Sequence, residues 1–318
     1  MNRRLLGQTG IAVSEIGFGA WGIGGKTEGA TSYGATDDPT SLAALDRAMD
    51  LGINFFDTAS LYGDGHSEAL IGQATQGRRD HLVIASKAGW DRFGGAPDLS
   101  PKALRRSLSD SLGRLRTDYL DLLMLHNPPV DDVARMAMAV KALKALQGDG
   151  VIRSWGLSTK TPAEALRAIT ELQVPVVQVN LNLLDLRAVD GGLLAAAKRQ
   201  GVGVIARTPL NFGFLSGAVG ADTVFEDGDH RRAWTRSRLS AWEQSSKALF
   251  EAFDLRDVAD RVAFSLRFCL SFDAVAAAIP GILTPAEAEM NALAQGALPA
   301  PVLERALEIA RANDPFAR

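Results

Sequence analysis

The stretch INFFDTASLYG, residues 53–63, combines a short apolar run with two polar side chains that such a run does not need. Residues 53–56 have the length and character of a buried strand, and Asp57 stands where that strand would end. Tyr62 follows five residues later, in the segment that leaves the strand. The stretch therefore predicts a buried strand that delivers an acid to its carboxyl end, with a phenol in the next loop.

Short apolar runs followed by helical patterns recur along the whole chain. Further strand candidates are residues 82–86, 119–125, 152–158, 176–180, 203–207 and 274–280. The segments between them place apolar residues at the spacing of a helix, and several begin with a capping residue, as at Thr161-Pro162. With residues 11–19 as a first inner strand, the chain alternates eight candidate strands with helices.

Eight such units, without a Pro-, Gly- or Ser-rich linker between them, predict an α/β fold. We expect a (β/α)8 TIM barrel with long loops at its C-terminal face, built as a single domain over residues 1–318. The structural rival is a doubly wound open sheet, which needs a nucleotide-binding glycine turn directly ahead of its first helix.

A glycine-rich stretch, AWGIGGKT at residues 20–27, bears on that rival. It approaches the phosphate-loop pattern G-x-x-x-x-G-K-[ST], with Ala20 in place of the first glycine, and the glycines at 17, 19 and 22 fit G-x-G-x-x-G. Both motifs need a helix whose N-terminal amides follow the glycines at once. Here the first helical pattern starts only near Thr40, so we interpret the stretch as a loop. A P-loop NTPase is the remote alternative.

Three insertions interrupt the regular units, at residues 22–38, 88–100 and about 208–245, and each follows a strand. In a barrel they would lie on the C-terminal face, where active sites of this fold are built. The aromatic residues within or beside them are Trp21, Trp90, Phe93, Phe212, Trp234 and Trp242. These residues predict an aromatic rim around a pocket, or they anchor long loops.

The composition excludes several classes of protein. Hydrophobic residues make up 47% and charged residues 22% of the chain, as in globular proteins with a large core. A net charge of -3 provides no basic field for nucleic acid. Without a membrane-length apolar run or a leader pattern, we expect a cytoplasmic protein. The lone cysteine, Cys269, is typical of a buried position, and the scattered histidines predict no metal site.

Polar residues at the C-terminal ends of barrel strands are the candidates for chemistry. Asp57, Lys87 and His126 follow three successive strand candidates, and Tyr62 lies in the loop after the first of them. Taken singly, each has an ordinary structural explanation, such as a helix cap, a solvated charge or packing. Because neighbouring strands bring their ends together, we expect the four side chains to form one catalytic group.

Such a group would donate a proton to an oxygen atom. An ammonium stabilises a phenolate beside it and so makes the phenol a better acid. A carboxylate such as Asp57 would keep Lys87 charged in a buried setting, and His126 would add a second hydrogen bond to the reacting oxygen. Protonation of a carbonyl oxygen is half of a reduction, and a nicotinamide cofactor would bring the hydride.

Three motifs resemble the aldo-keto reductase family, and the similarity runs from Arg4 through almost the whole chain. INFFDTASLYGDGHSEALIGQA, IASKAGW and YLDLLMLHNP are similar to the family's segments around its catalytic aspartate and tyrosine, lysine, and histidine. The resemblance implies Tyr62 as general acid and base, tuned by Asp57 and Lys87. His126 would orient the substrate or assist the proton transfer. An NAD(P)H-dependent oxidoreductase is implied, which interconverts an aldehyde, ketone or sugar lactol and the alcohol.

The resemblance also implies an extended cofactor across the barrel mouth, without a Rossmann domain. The residues that it assigns to the cofactor are Trp21, Asp57, Ser158, Thr159, Gln178, Arg207, Thr208, Pro209, Leu210, Leu215, Gly217, Gly281, Ile282, Glu287 and Asn291. The residues assigned to the substrate are Trp21, Tyr62, Trp90, His126 and Asn127, with Phe93 beside them.

Two positions depart from the family pattern. Arg207 stands where a tyrosine usually stacks on nicotinamide, and its charge would disfavour the oxidised, cationic ring. Leu283 and Glu287 stand where relatives often carry basic residues for the 2′-phosphate of NADPH. Family habit still favours NADPH, with an arginine at 231, 232 or 236 as compensation, and NADH is the alternative.

A second class of function is a non-catalytic partner or regulatory subunit of the same fold, like the potassium-channel β subunits. The complete set of four catalytic candidates favours an enzyme, and a turnover assay discriminates the two. The expected partner is a small carbonyl or alcohol, with no nucleic acid and no membrane. Sugars, lactols, quinones and small aldehydes are all compatible with the sequence, which leaves a monomer or a homo-oligomer open.

Overall fold

The chain folds into a barrel of parallel strands in a computed structural model that describes residues 1–27 and 32–315. The strands are β1 (Arg3–Leu5), β2 (Ala12–Ser14), β3 (Phe18–Gly19), β4 (Phe55–Asp57), β5 (Val83–Ala88), β6 (Leu120–His126), β7 (Ile152–Ser158), β8 (Val176–Asn180), β9 (Gly203–Arg207) and β10 (Val275–Ile279). The last eight form one sheet in the order β10-β9-β8-β7-β6-β5-β4-β3. Parallel bridges from Ile16 to Ala278 and from Gly19 to Gly281 join its edges, so the predicted (β/α)8 barrel is confirmed.

Helices surround this barrel, and most begin where the sequence places a cap. They are α1 (Asp38–Asp50), α2 (His66–Ala74), α3 (Pro101–Leu115), α4 (Val133–Gly148), α5 (Pro162–Leu172), α6 (Arg187–Asp190), α7 (Leu193–Gln200), α8 (Arg236–Ala252), α9 (Val258–Leu270), α10 (Pro285–Ala292) and α11 (Ala300–Ala312). At α5, Thr161 and Glu164 form the reciprocal bonds of a capping box ahead of Pro162, which fixes the first turn. In the part of the chain that the structure describes, no helix has the length and apolarity to cross a membrane.

The apolar core has two parts. The larger part lies between the sheet and the helices and includes Cys269, which is fully buried as predicted. The smaller part fills the barrel interior with alternate residues of the strands, such as Phe55, Val83 and Leu122. The interior therefore offers polar side chains a place only at the strand ends.

Residues 11–19 do not form one inner strand, and that expectation is wrong in part. β2 pairs with β1 in a hairpin, and only β3 joins the barrel. Leu6, Ile11 and Val13 of the hairpin belong to the interior cluster, and Gly7 lies against the first residue of β9. The hairpin thus closes the N-terminal end of the barrel, where its apolar residues are almost completely buried.

Long loops follow β3, β5 and β9 at the opposite end, as the insertions predict. Residues 28–31 of the first insertion lie outside the described residues. The third insertion is shorter than predicted, since α8 begins at Arg236. The first and third loops meet over the barrel, where Ser32 bridges to Asp229 and the amide of His230 donates to the oxygen of Ser32 at 3.1 Å.

Candidate active site

The catalytic candidates lie in one layer at the C-terminal end of the barrel interior. Alternate residues of a strand point to the same face. On β5, the interior residues Val83 and Ala85 are followed two positions later by Lys87. The same step places polar side chains at or near the ends of β4, β6, β8 and β9, namely Asp57, His126, Gln178 and Arg207. Strand pleat therefore converts separate sequence motifs into one site.

Lys87 is the centre of this layer. Its Nζ donates to Asp57 Oδ1 at 2.6 Å, to the backbone oxygen of Thr58 at 2.7 Å and to the Tyr62 hydroxyl at 3.2 Å. Burial alone would lower the pKa of Lys87, but the charge of Asp57 and the Tyr62 hydroxyl outweigh it, and the pKa is raised. The lysine therefore carries a buried positive charge that points at the phenol oxygen.

The second oxygen of Asp57 is held from the opposite side. Gln178 Nε2 donates to Asp57 Oδ2 at 2.7 Å, and the Ser158 hydroxyl donates to Gln178 Oε1 at 2.9 Å. All three side chains are buried. This chain of hydrogen bonds orients the carboxylate toward Lys87 and links the catalytic layer to β7 and β8.

The loop that carries Tyr62 is packed tightly against the first long loop. A Cβ on Gly63 would lie 2.0 Å from the backbone oxygen of Gly24, and Gly63 has a φ of 64°, so both the space and the conformation require glycine. The Tyr62 ring lies 6.0 Å from the His126 ring and 6.3 Å from the Trp21 ring, measured between centroids. The phenol is thereby held between Lys87 and the cavity.

His126 is a neutral imidazole at this site. Burial, followed by the positive charges of Lys87 and Arg207, lowers the pKa of His126 well below 6.5. Its Nδ1 is buried without a hydrogen-bond partner among the described residues. A neutral ring beside Tyr62 can hydrogen bond to a reacting oxygen without adding a charge.

The lowered pKa of His126 predicts a stability that falls in mild acid. Below the unfolded pKa near 6.5, the unfolded chain binds a proton that the folded His126 does not, so the free energy of unfolding decreases as the pH falls. From this group we expect a loss of up to about 1.4 kcal/mol over the first pH unit below that value. Urea unfolding at a pH near 6.5 and at one pH unit lower measures this change in the free energy of unfolding.

A His126→Gln variant should lack this contribution, whereas His81→Gln, at an exposed position, should keep the wild-type dependence. An unchanged pH dependence in His126→Gln would show that the imidazole is solvated or paired in the folded protein.

A cavity of about 310 Å³ opens above the catalytic layer. Of the predicted cofactor and substrate residues, those in its wall are Trp21, Asp57, Tyr62, Gln178, Arg207, Thr208 and Gly281. Ser158 lies behind the wall, against Gln178, and Thr159 accepts from Arg207 Nη2 at 2.9 Å through its backbone oxygen. The structure thus brings much of the predicted nicotinamide end of the site together.

Other predicted substrate residues lie outside the cavity wall. Trp90 Nε1 donates to the backbone oxygen of His126 and ties the loop after β5 to the end of β6. Asn127 has a φ of 46°, and its buried Oδ1 has no hydrogen-bond partner among the described residues. Phe93 is exposed. These residues support the site or its rim rather than the wall of the cavity.

The remaining predicted cofactor residues lie in the core, in the loop after β9 and on α10. Leu215 and Ile282 pack their side chains in the larger core cluster. Pro209, Leu210 and Gly217 belong to the loop after β9, and Asn291 is buried on α10. Glu287 Oε2 accepts from the amide of Leu283 at 2.7 Å and from that of Thr284 at 3.0 Å, in the capping box of α10.

Among the polar and aromatic residues of the cavity wall, Tyr33, Asn180 and His230 are not identified by the sequence patterns. Asn180 ends β8 and is paired in register with Arg207. A polar residue at the end of a strand is a signal that could have identified it from the sequence. Tyr33 and His230 come from different loops, and their ring centroids lie 5.1 Å apart. Their position depends on how the loops meet, which no local pattern reveals.

Among the described residues, no α-helix directly follows the glycines of the stretch at residues 20–27. Gly22–Gly24 form a short 3-10 turn, and α1 begins only at Asp38, after its cap Asp37. Gly19 is required by packing instead, because a Cβ there would lie 2.7 Å from the backbone oxygen of Pro280. The interpretation as a loop is confirmed.

Comparison with known proteins finds a family and homologous enzymes. A model described as the Aldo/keto reductase family matches residues 15–300. Oxidoreductase YqkF of Bacillus subtilis (strain 168), described as uncharacterized, is 32% identical over 220 residues, which are 68% of this chain and 67% of that protein. The NADH-specific methylglyoxal reductase of Escherichia coli (strain K12) is 31% identical over 249 residues, 74% and 75% of the two chains.

Comparison with solved structures agrees with this family assignment. A glycerol dehydrogenase from Gluconobacter oxydans is 26% identical and superimposes with a TM-score of 0.78, covering 98% of this chain and 96% of that one.

Proposed function

The chain belongs to the aldo-keto reductase family, and on this premise we propose that Tyr62 is the proton donor of its carbonyl reduction. Membership makes the chain an NAD(P)-dependent oxidoreductase that interconverts an aldehyde or ketone and the alcohol. The observation that carries the assignment of Tyr62 is the position of Lys87 Nζ, 2.6 Å from Asp57 Oδ1 and 3.2 Å from the phenol oxygen.

In the reductive direction, the substrate carbon gains a hydride, the carbon–oxygen π bond breaks, and the substrate oxygen gains a proton. A bound reduced nicotinamide supplies the hydride. Tyr62 gives its hydroxyl proton to the oxygen, and Lys87 stabilises the phenolate that remains. Asp57 balances the ammonium, His126 hydrogen bonds to the oxygen, and solvent restores the proton.

The residues around the cavity fit a nicotinamide cofactor. Gln178 lines the cavity, and Ser158 holds it from behind by donating to its Oε1. Beyond its bonds to Ser158 and Asp57, the Gln178 carboxamide keeps a second N–H and a second oxygen lone pair, which suits recognition of another carboxamide. Gly281 lines the cavity, and a Cβ there would meet nothing within 4 Å, so its backbone stands open to a ligand. We assign these three residues to the cofactor.

NADP dependence is typical of the family, yet we propose that this chain prefers NADH. The carboxylate of Glu287 accepts from the amides of Leu283 and Thr284, which are the donors that the start of α10 offers to an anion. The arginines expected to compensate each lie beside an aspartate: Arg231 beside Asp229, Arg232 beside Asp227 and Arg236 beside Asp222. A neutral ribose diol suits this negative position better than a phosphate.

Replacing Glu287 with glutamine tests this preference. Glu287→Gln keeps an oxygen that can accept from the two amides but removes the charge, so NADPH should bind about tenfold more tightly, while the Kd of NADH changes little. Fluorescence titration with both cofactors measures the two constants.

Glu164→Gln is the matched control, because Glu164 occupies the same place in the identical Thr-Pro-Ala-Glu capping box of α5. Wild-type binding of NADPH as tight as that of NADH would contradict the proposed preference.

The substrate that this cavity favours is a small carbonyl compound with further oxygen groups. The cavity volume, about 310 Å³, must hold the nicotinamide as well as the substrate. Trp21 and Tyr33 form aromatic wall, while Asn180 and Thr208 offer polar atoms. The named activities of relatives, methylglyoxal reduction and glycerol oxidation, point to the same class.

Turnover measurements with dicarbonyls, small hydroxyaldehydes and aldoses test the proposal through the loss of reduced-cofactor absorbance. Cofactor binding without turnover of any carbonyl would favour the non-catalytic alternative.

A further inference from the structure

Arg207 places a positive charge in the wall of the cavity, and it has no carboxylate partner among the residues that the structure describes. It ends β9, and its Nη2 donates a hydrogen bond to the backbone oxygen of Thr159, a neutral group, at 2.9 Å. Its buried Nε has no hydrogen-bond partner among the described residues. A guanidinium stays protonated in proteins, so this charge persists although burial lowers the pKa of Arg207.

The neighbouring charges do not neutralise Arg207. The acidic groups that act on it have other partners, namely Asp57 with Lys87, Asp185 with Arg187, and Glu164 in the capping box of α5. Tyr62 and His126 also face it, the first as a phenol and the second as a neutral imidazole. The wall therefore keeps the uncompensated charge of Arg207 beside the place of the chemistry.

A partly buried cation that has no carboxylate partner among the described residues costs folding free energy, so its presence calls for a role in binding. The ring that takes part in the reaction must lie close enough to Tyr62 for hydride and proton to reach one carbonyl group. Since Tyr62 and Arg207 line the same cavity of about 310 Å³, that ring also lies near the guanidinium. The reduced ring is neutral, whereas the oxidised ring carries a positive charge.

We infer that Arg207 makes the chain bind reduced nicotinamide dinucleotide more tightly than the oxidised form. The inference rests on the proposed function and adds a selection between the two redox states. Repulsion between like charges in a poorly solvated cavity weakens binding of the oxidised form only. It also favours departure of the oxidised cofactor after each reduction, and so favours carbonyl reduction over alcohol oxidation.

The test is the ratio of dissociation constants, Kd of the oxidised form over Kd of the reduced form, measured by calorimetry for wild type and variants. Arg207→Met removes the charge and keeps much of the side-chain length, and the ratio should fall about tenfold, which corresponds to about 1.4 kcal/mol. Arg207→Lys keeps a charge and should keep most of the ratio. Arg105→Met, at an exposed position on α3, removes a distant charge and should leave the ratio unchanged.

A structural role for Arg207 would give a different result. In that case the Arg207→Met variant would unfold at a lower temperature than wild type. Its binding of the reduced and of the oxidised cofactor would weaken by the same factor, which would overturn the inference. If Arg207 acts by charge, the variant should be at least as stable as wild type. Failure of the proposed function is separate, because it would appear as absent carbonyl turnover in wild type whatever the ratio of constants.

Discussion

Replacement of Tyr62 by phenylalanine is expected to lower kcat for carbonyl reduction by about 10²- to 10⁴-fold, the usual contribution of a positioned general acid. The ring remains, so its packing against Trp21 and His126 should be kept and the fold should be unaffected. Only the oxygen that lies 3.2 Å from Lys87 Nζ is lost. Steady-state kinetics with a saturating reduced cofactor measure the effect, and calorimetry checks that the cofactor still binds.

Tyr33→Phe is the matched control for this variant. Tyr33 also lines the cavity, and burial raises the pKa of its hydroxyl, which makes it a poor proton donor. Its ring is tilted against that of Trp21, with 4.8 Å between the ring centroids. We expect Tyr33→Phe to change KM more than kcat. Full turnover in Tyr62→Phe would refute Tyr62 as the acid.

The catalytic layer was predictable from sequence because it depends on strand pleat alone. A polar residue that ends an apolar strand must face either the barrel interior or the helices, and only the strand end offers a polar residue access to solvent and ligand. Asp57, Lys87 and His126 each end such a strand, so their neighbourhood followed once the strands were placed in order. Tyr62 required no long-range information either, since it follows Asp57 by only five positions.

The N-terminal segment and the cavity rim were not predictable in the same way. The apolar residues at 11–19 fit an inner strand equally well as a hairpin, because burial under the barrel and burial within it select the same side chains. The rim depends on the pairing of Ser32 with Asp229, which are nearly two hundred residues apart, and on loops whose conformation local propensity does not determine.

The position of Glu287 illustrates a third case, in which a signal is present but competes with another. Thr284 and Glu287 have the spacing of a capping box, which predicts a carboxylate directed at the helix start. The same residue also falls in a segment that the family resemblance assigns to adenine. The Glu287 side chain makes the local contact with the amides of Leu283 and Thr284. These amides lie only four and three residues away, so the contact costs little conformational entropy.

Replacement of Lys87 by methionine is expected to lower the free energy of unfolding by about 3–5 kcal/mol and to reduce kcat as strongly as the loss of Tyr62. Lys87 and Asp57 are both buried, and their ion pair is 2.6 Å long. Without the ammonium, the carboxylate keeps, among the described residues, only Gln178 as a side-chain donor and remains an uncompensated buried charge. The phenolate of Tyr62 would lose its stabilising cation in the same variant.

The double variant Asp57→Asn with Lys87→Met separates stability from catalysis. Removing both charges eliminates the uncompensated carboxylate, so urea unfolding should recover most of the lost stability, while kcat should stay at the level of Lys87→Met. Lys198→Met breaks the exposed pair with Asp273 and should change neither quantity appreciably. If the double variant recovered turnover as well as stability, Lys87 would serve the fold alone. A lysine that stabilises the Tyr62 phenolate is still missing when Asp57 is neutralised, so its loss should keep kcat low.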